Sequence, residues 1–108
     1  MSLVKICGLT RPEDIEAANE AGPTYIGFVF APSRRRVTPE TAARLRAGLR
    51  ADIRVVGVFV DAPPGEPEAL LQRGIIDIVQ LHGRETEEDI RALKERTGAP
   101  VIKAVRME

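Results

Sequence analysis

The chain has 108 residues, 44% of them apolar and 30% charged, and its 16 basic residues balance its 16 acidic ones. That length suits one domain with its own core, and zero net charge offers no bulk attraction for a nucleic acid or a membrane surface. One cysteine and one histidine exclude an internal disulfide and a structural zinc site of the usual kind. No apolar run reaches transmembrane length, and Met1-Ser2-Leu3 lacks the apolar core of a signal peptide, so a reducing, cytoplasmic setting is the expectation.

The first predicted strand covers residues 3–7. Alternation along it puts Lys5 and Cys7 on one face and Val4 and Ile6 on the other. The strand thus ends on the only thiol of the chain. Gly8 follows as a turn residue, and Thr10-Arg11-Pro12-Glu13 signals the start of a helix over 12–21 that Gly22 stops. A second strand spans 24–30. Thr38 before Pro39 marks a helix over 39–49 with Ala42, Leu45 and Leu49 on one face. A third strand spans 54–60, and Pro63-Pro64-Gly65 leads into a helix over 65–73 that ends at Gly74. The fourth strand covers 75–81. Thr86-Glu87-Glu88-Asp89 resembles a capping box, with Asp in the usual Glu place, opening a helix over 86–97. That helix presents Ile90, Leu93 and Thr97 on one face and stops at Gly98. A fifth strand is predicted over 100–105.

Strict β-α alternation implies an α/β fold with a parallel sheet and right-handed crossovers. Residues 1–108 read as one domain. The Gly-rich nucleotide-binding patterns of open sheets are absent, which favours a piece of a barrel. In such barrels chemistry is done at the carboxyl ends of the strands, where Cys7 stands.

Five motifs occur in order: Lys5-Ile6-Cys7-Gly8-Leu9-Thr10, Gly27-Phe28-Val29-Phe30, Ser33-x-Arg35-x-Val37, Val58-Phe59-Val60 and Val79-Gln80-Leu81-His82-Gly83. Together they resemble the phosphoribosylanthranilate isomerase family, the (βα)8-barrel enzymes of an Amadori rearrangement in tryptophan biosynthesis. The resemblance implies a partial TIM barrel of about four and a half βα units, the amino-terminal half of the family's fold. It implies a phosphosugar-anthranilate substrate and no cofactor or metal. Cys7 would be the general base and Arg35 the holder of the anthranilate carboxylate. A guanidinium fork suits a planar carboxylate. Arg34 and Arg36 flank it, and a one-residue slip in the loop exchanges their places.

His82 and Gln80 share the face that points into the barrel, His82 in a structural or substrate-facing position. Lys5, on the face of Cys7, is counted with the substrate-binding residues and, by parity alone, as a source of positive charge for the thiol. Asp61 is a weaker candidate, because short polar residues there more often cap the next turn. Gly8 and Gly83 fit tight turns at strand ends. The competing reading of Cys7 is a small buried hydrophobe.

The family's general-acid aspartate and its glycine-rich phosphate loops have no counterpart among these 108 residues. The expectation is that this polypeptide is inactive alone. Five strands leave two edges and an exposed inner face, so a homo-oligomer is expected to cover them. The alternatives are a silent fragment that self-associates with residual anthranilate-like binding, and a small isomerase or aldolase-like enzyme using Cys7 and Lys5 alone.

Overall fold

The computed structural model describes residues 5–103. Among these residues nine elements alternate: β1 (Lys5–Cys7), α1 (Pro12–Ala21), β2 (Tyr25–Val29), α2 (Pro39–Ala47), β3 (Arg54–Phe59), α3 (Gly65–Gln72), β4 (Ile78–Leu81), α4 (Glu87–Thr97) and β5 (Val101–Lys103). The strands form one parallel sheet in the order β1-β2-β3-β4-β5. Register runs Cys7 opposite Gly27, Gly27 opposite Val56, Val58 opposite Gln80 and Gln80 opposite Ile102. The predicted residues 3 and 4 of the first strand and 104 and 105 of the fifth lie outside the described residues.

The core lies between the sheet and the helices. Ile26 and Phe28 of β2, Val55 and Phe59 of β3, Val79 and Leu81 of β4 and Val101 of β5 face this layer. The helices answer with Ile15 and Ala18 of α1, Ala42 and Leu45 of α2, Leu70 of α3 and Leu93 of α4. Period-2 and helical spacing therefore meet at one interface, and burying each such side chain contributes about 1.5–3 kcal/mol. Phe30 stacks on Phe59 with ring centroids 5.3 Å apart.

Helix ends follow local chemistry. The Thr38 hydroxyl accepts from Thr41 N–H at 3.1 Å, and Thr86 and Asp89 form a reciprocal capping box. At α1 the capping role belongs to Asp14, whose carboxylate accepts the N–H groups of Thr10 and Arg11 at 3.0 and 3.1 Å. Those amides, Thr10 first and then the Arg11 guanidinium, hold the Asp14 carboxyl below its ordinary range.

Two expectations change. β4 begins at Ile78 rather than at residue 75, because Ile75 N–H is spent on Leu70 O at the end of α3 while Ile75 and Ile76 enter the core. The inner face of the sheet is also only partly open. Val56, Val58 and Ile78 on that face are buried, whereas Ile102 is 47% exposed. A curled parallel sheet shelters its own middle strands, and the Lys5 side chain crosses from β1 to donate to Gln80 on β4, spanning β2 and β3. No helix among the described residues is long and apolar enough to cross a membrane.

Candidate active site at the carboxyl ends of the strands

The first turn determines where the thiol stands. β1 ends on Cys7, and Gly8 N–H continues the ladder by donating to Gly27 O at 2.9 Å. Gly8 then takes a φ of +84°, the left-handed conformation that a side chain resists. Cys7 is left exposed, with its side chain over the Cα of Gly27 on the neighbouring strand. A methyl group on Gly27 would lie 2.8 Å from the Cys7 Sγ. The thiol is therefore a surface group at the rim, and the reading of Cys7 as a buried hydrophobe fails.

The loop after β2 leaves and returns. Val37 N–H donates to Val29 O at 2.9 Å, and Arg36 makes an isolated parallel bridge with Val29. Within the loop, Arg35 N–H donates to the Ser33 hydroxyl at 3.1 Å. Adjacent residues of the returning segment point to different sides. The Arg35 side chain packs over Gly8, where a methyl group would fall 2.5 Å from its Cδ and 3.0 Å from a guanidinium nitrogen. Arg36 lines a separate recess with Phe30, Val37, Glu66 and Arg73 between α2 and α3. Of the two, Arg35 is the one that shares the cleft lined by Cys7. Cys7, Gly8, Thr10, Asp14 and Arg35 share a shallow cleft of about 510 Å³ at the β1 edge.

The remaining predicted residues form a second group. Gln80 accepts a hydrogen bond from the Lys5 ammonium, so Lys5 is turned toward β4, one layer below Cys7. His82 follows directly on β4, exposed, with its N–H donating to Phe59 O at 2.9 Å. The structure thus bonds Lys5 to Gln80, sets Cys7 and Arg35 along one cleft, and leaves His82 exposed. A groove of about 490 Å³ between α1 and α2, lined by Ile15, Glu16, Thr41 and Arg44, holds none of these residues and lies outside the barrel wall.

Sequence reasoning missed a third cluster, next to His82. The Glu85 carboxylate accepts Asp61 N–H at 2.8 Å, Gly83 N–H at 2.8 Å and the Lys103 ammonium at 3.0 Å. The Asp61 carboxylate accepts Arg84 N–H at 2.6 Å, so it joins the loops after β3 and β4 instead of capping the next turn. Asp61 holds a φ of +50°, and Gly83 approaches it so closely that a methyl group would lie 2.8 Å from its backbone nitrogen. Burial pushes the Glu85 carboxyl up. Its own N–H, Lys103 and the amides of Asp61 and Gly83 outweigh that and hold it below the ordinary value.

Comparison with known proteins bears on the family and the fold. The family profile described as N-(5'-phosphoribosyl)anthranilate isomerase matches residues 4–108. An isomerase of that name from Lacticaseibacillus casei is 49% identical over 94% of this chain, and one from Symbiobacterium thermophilum is 50% identical over 96%. The match covers 51% and 45% of those two proteins, so the chain spans about half the length of the curated relatives it matches. The crystal structure of the isomerase from Thermus thermophilus superposes with a TM-score of 0.89 at 44% identity, over 99% of this chain and 53% of that one. A phosphoribosylanthranilate isomerase solved with reduced 1-(o-carboxyphenylamino)-1-deoxyribulose 5-phosphate gives 0.92 at 40% identity, over 100% of this chain and 55% of that one. The five-stranded sheet described above is half of that TIM barrel, and the chain belongs to the N-(5'-phosphoribosyl)anthranilate isomerase family.

Proposed function

We propose that these 108 residues supply the base and the carboxylate-binding half of a phosphoribosylanthranilate isomerase site. The observation that carries the reading is that an exposed thiol and the arginine packed over Gly8, the residue after it, line one cleft at the carboxyl end of β1. In an Amadori rearrangement an acid protonates the ring oxygen of the aminoaldose, the C1–O bond opens, and the nitrogen lone pair forms the Schiff base. Cys7 as thiolate then takes the proton from C2, and the electron pair freed there forms the enolamine by neutralising the iminium. Tautomerisation returns a proton to C1 and leaves the ketose. Arg35 holds the anthranilate carboxylate with its fork, and His82 and the Lys5–Gln80 pair form the β4 side and floor of the site. The acid and the phosphate loops belong, by resemblance, to the second half of the family's barrel. The 108-residue polypeptide alone is accordingly expected to be inactive.

The test joins residues 1–108 to the carboxyl-terminal half of the Symbiobacterium thermophilum relative and measures turnover of phosphoribosylanthranilate. Turnover should appear in the chimera, fall by about 10²–10⁴ in Cys7→Ala, and be absent from the 108-residue chain. Arg35→Lys should raise KM more than Arg34→Lys or Arg36→Lys. Near-normal turnover in the Cys7→Ala chimera overturns the assignment.

A second reading, self-association, is favoured by the open edges of β1 and β5 and by the exposure of Ile6, Val60 and Ile102. A related isomerase from Thermotoga maritima is described as dimeric. The occupant of the open side is a second copy of this chain, read by sedimentation at micromolar concentration. A monomer there removes this reading.

A further inference from the structure

We propose that Glu85 is a positioning residue for His82, fixing the direction in which the imidazole leaves the rim by tying the ends of β3, β4 and β5 together. The proposal deepens the isomerase reading, on which the use of His82 rests. The backbone makes the case. Two peptide planes flank the His82 Cα, and both are hydrogen-bonded. The plane before it donates His82 N–H to Phe59 O at 2.9 Å. The plane after it donates Gly83 N–H to the Glu85 carboxylate at 2.8 Å. The first bond belongs to the regular ladder, whereas the second depends on one side chain. With the first plane held by the ladder, the Glu85 bond fixes the second, and the two together set φ and ψ of His82 and so the aim of its Cα–Cβ bond.

The carboxylate is itself held from three directions. Its side chain is 9% exposed and bridges to the Lys103 ammonium, which also donates to Gly83 O. Its other oxygen takes Asp61 N–H. Asp61 in turn fixes Arg84 N–H, so the loops after β3 and β4 cannot part without losing several bonds. A carboxylate offers about four lone-pair sites, and three are filled by donors from three strand ends. Hydrogen bonds to a charged group are the stronger class and short, as here. Gly83 is required at the join because Asp61 leaves no room for a side chain. Among the described residues no hydrogen bond joins this cluster to Cys7, and the candidate site residue it adjoins is His82.

The test is NMR on the 108-residue chain and needs no turnover, so its failure is distinct from failure of the isomerase reading. Glu85→Gln should shift and broaden the His82 ring Cε1–H resonance. It should also speed amide exchange at Gly83 and Asp61 by tenfold or more, with the core amide of Val79 unchanged. Lys103→Met, which keeps both amide bonds, should move the same signals less. If Glu85→Gln does not fold, Glu85→Asp, which keeps the charge and shortens the reach to Gly83 N–H, decides alone through a shifted His82 ring and Gly83 exchange severalfold faster than in the parent. An unshifted His82 ring and unchanged Gly83 exchange overturn the proposal. So does a change that appears only together with faster exchange at Val79, since that reports general loss of stability.

Discussion

Gly27→Ala separates the thiol's position from the stability of the fold. Gly27 sits mid-strand without a positive φ, so alanine adopts its backbone without strain, and removing a strand glycine stabilises by roughly 0.5–1 kcal/mol. The added methyl, however, would stand 2.8 Å from Cys7 Sγ, 3.4 Å from its Cβ and 3.5 Å from its Cα. Ordinary contact is about 3.5–4.0 Å, so the sulfur has to move by about 1 Å. Cys7 is exposed, and turning it away costs about 0.5–1.5 kcal/mol if it leaves its rotamer well. The two effects nearly cancel. The urea midpoint should correspond to a change within about 1 kcal/mol, while the reactive atom is displaced.

Because Cys7 is the only thiol, its rate with an aromatic disulfide reagent reads that displacement directly. The rate should change severalfold, and turnover in the completed barrel should fall by about a hundredfold, the usual cost of a 1 Å misplacement. Gly57→Ala is the control. Its methyl would meet Ile76 Cδ1 at 2.9 Å on the helix side of the sheet, so it should lose about 1–3 kcal/mol and leave thiol reactivity alone. An unchanged thiol rate in Gly27→Ala, or a stability loss beyond about 2 kcal/mol, refutes the reasoning.

Asp77→Ala should destabilise by about 2 kcal/mol in urea unfolding, since its carboxylate accepts Val55 N–H at 2.9 Å and pairs with Arg46 at 2.9 Å. Arg46→Met, which leaves the amide bond in place, should cost less, and the reverse order would contradict the assignment. Gly8→Ala should lose about 1–2 kcal/mol from its φ of +84° and displace Arg35, seen as a shifted Arg35 Nε–H resonance; an unmoved resonance would count against the packing over Gly8. The Glu85 carboxyl is held below its ordinary value of 4.5, so its stabilisation is fully present above that pH and is lost as pH falls through the folded value. Urea midpoints followed from pH 7 down to about 3 should therefore drop less steeply in Glu85→Gln than in the parent, and parallel curves would exclude the contribution.

Much of this architecture is written locally. Thr38 before Pro39 and the Thr86–Asp89 box are contained within four residues, so the helix starts they announce are where the sequence puts them. The alternation of Ile26 and Phe28 with Gly27 states the two faces of β2 in the same way. The site is less legible where partners come from different βα units. Nothing near residue 85 in sequence signals that its carboxylate meets Asp61 and Lys103, because that meeting depends on two loop conformations and on an Asp held at positive φ. Parity placed Lys5 with Cys7 correctly, but the long side chain was free to choose Gln80, and it did. Arg34, Arg35 and Arg36 are equivalent as letters. Only the return of the chain to Val29 makes Arg36 and Arg35 diverge.

The nearest-neighbour strand order carries a consequence in time. Among the described residues every strand pairs only with those just before and after it in sequence, so each of these pairings joins neighbouring βα units. Cys7, Gly27 and Arg35 all lie within the first two strands and the loop that follows them. During synthesis, which proceeds from the amino terminus, this pair of reactive groups is complete before Glu85 and Lys103 exist. The Cys7–Arg35 corner is thus made first, and the bonds of Glu85 to Asp61, Gly83 and Lys103 close only when the fifth strand arrives.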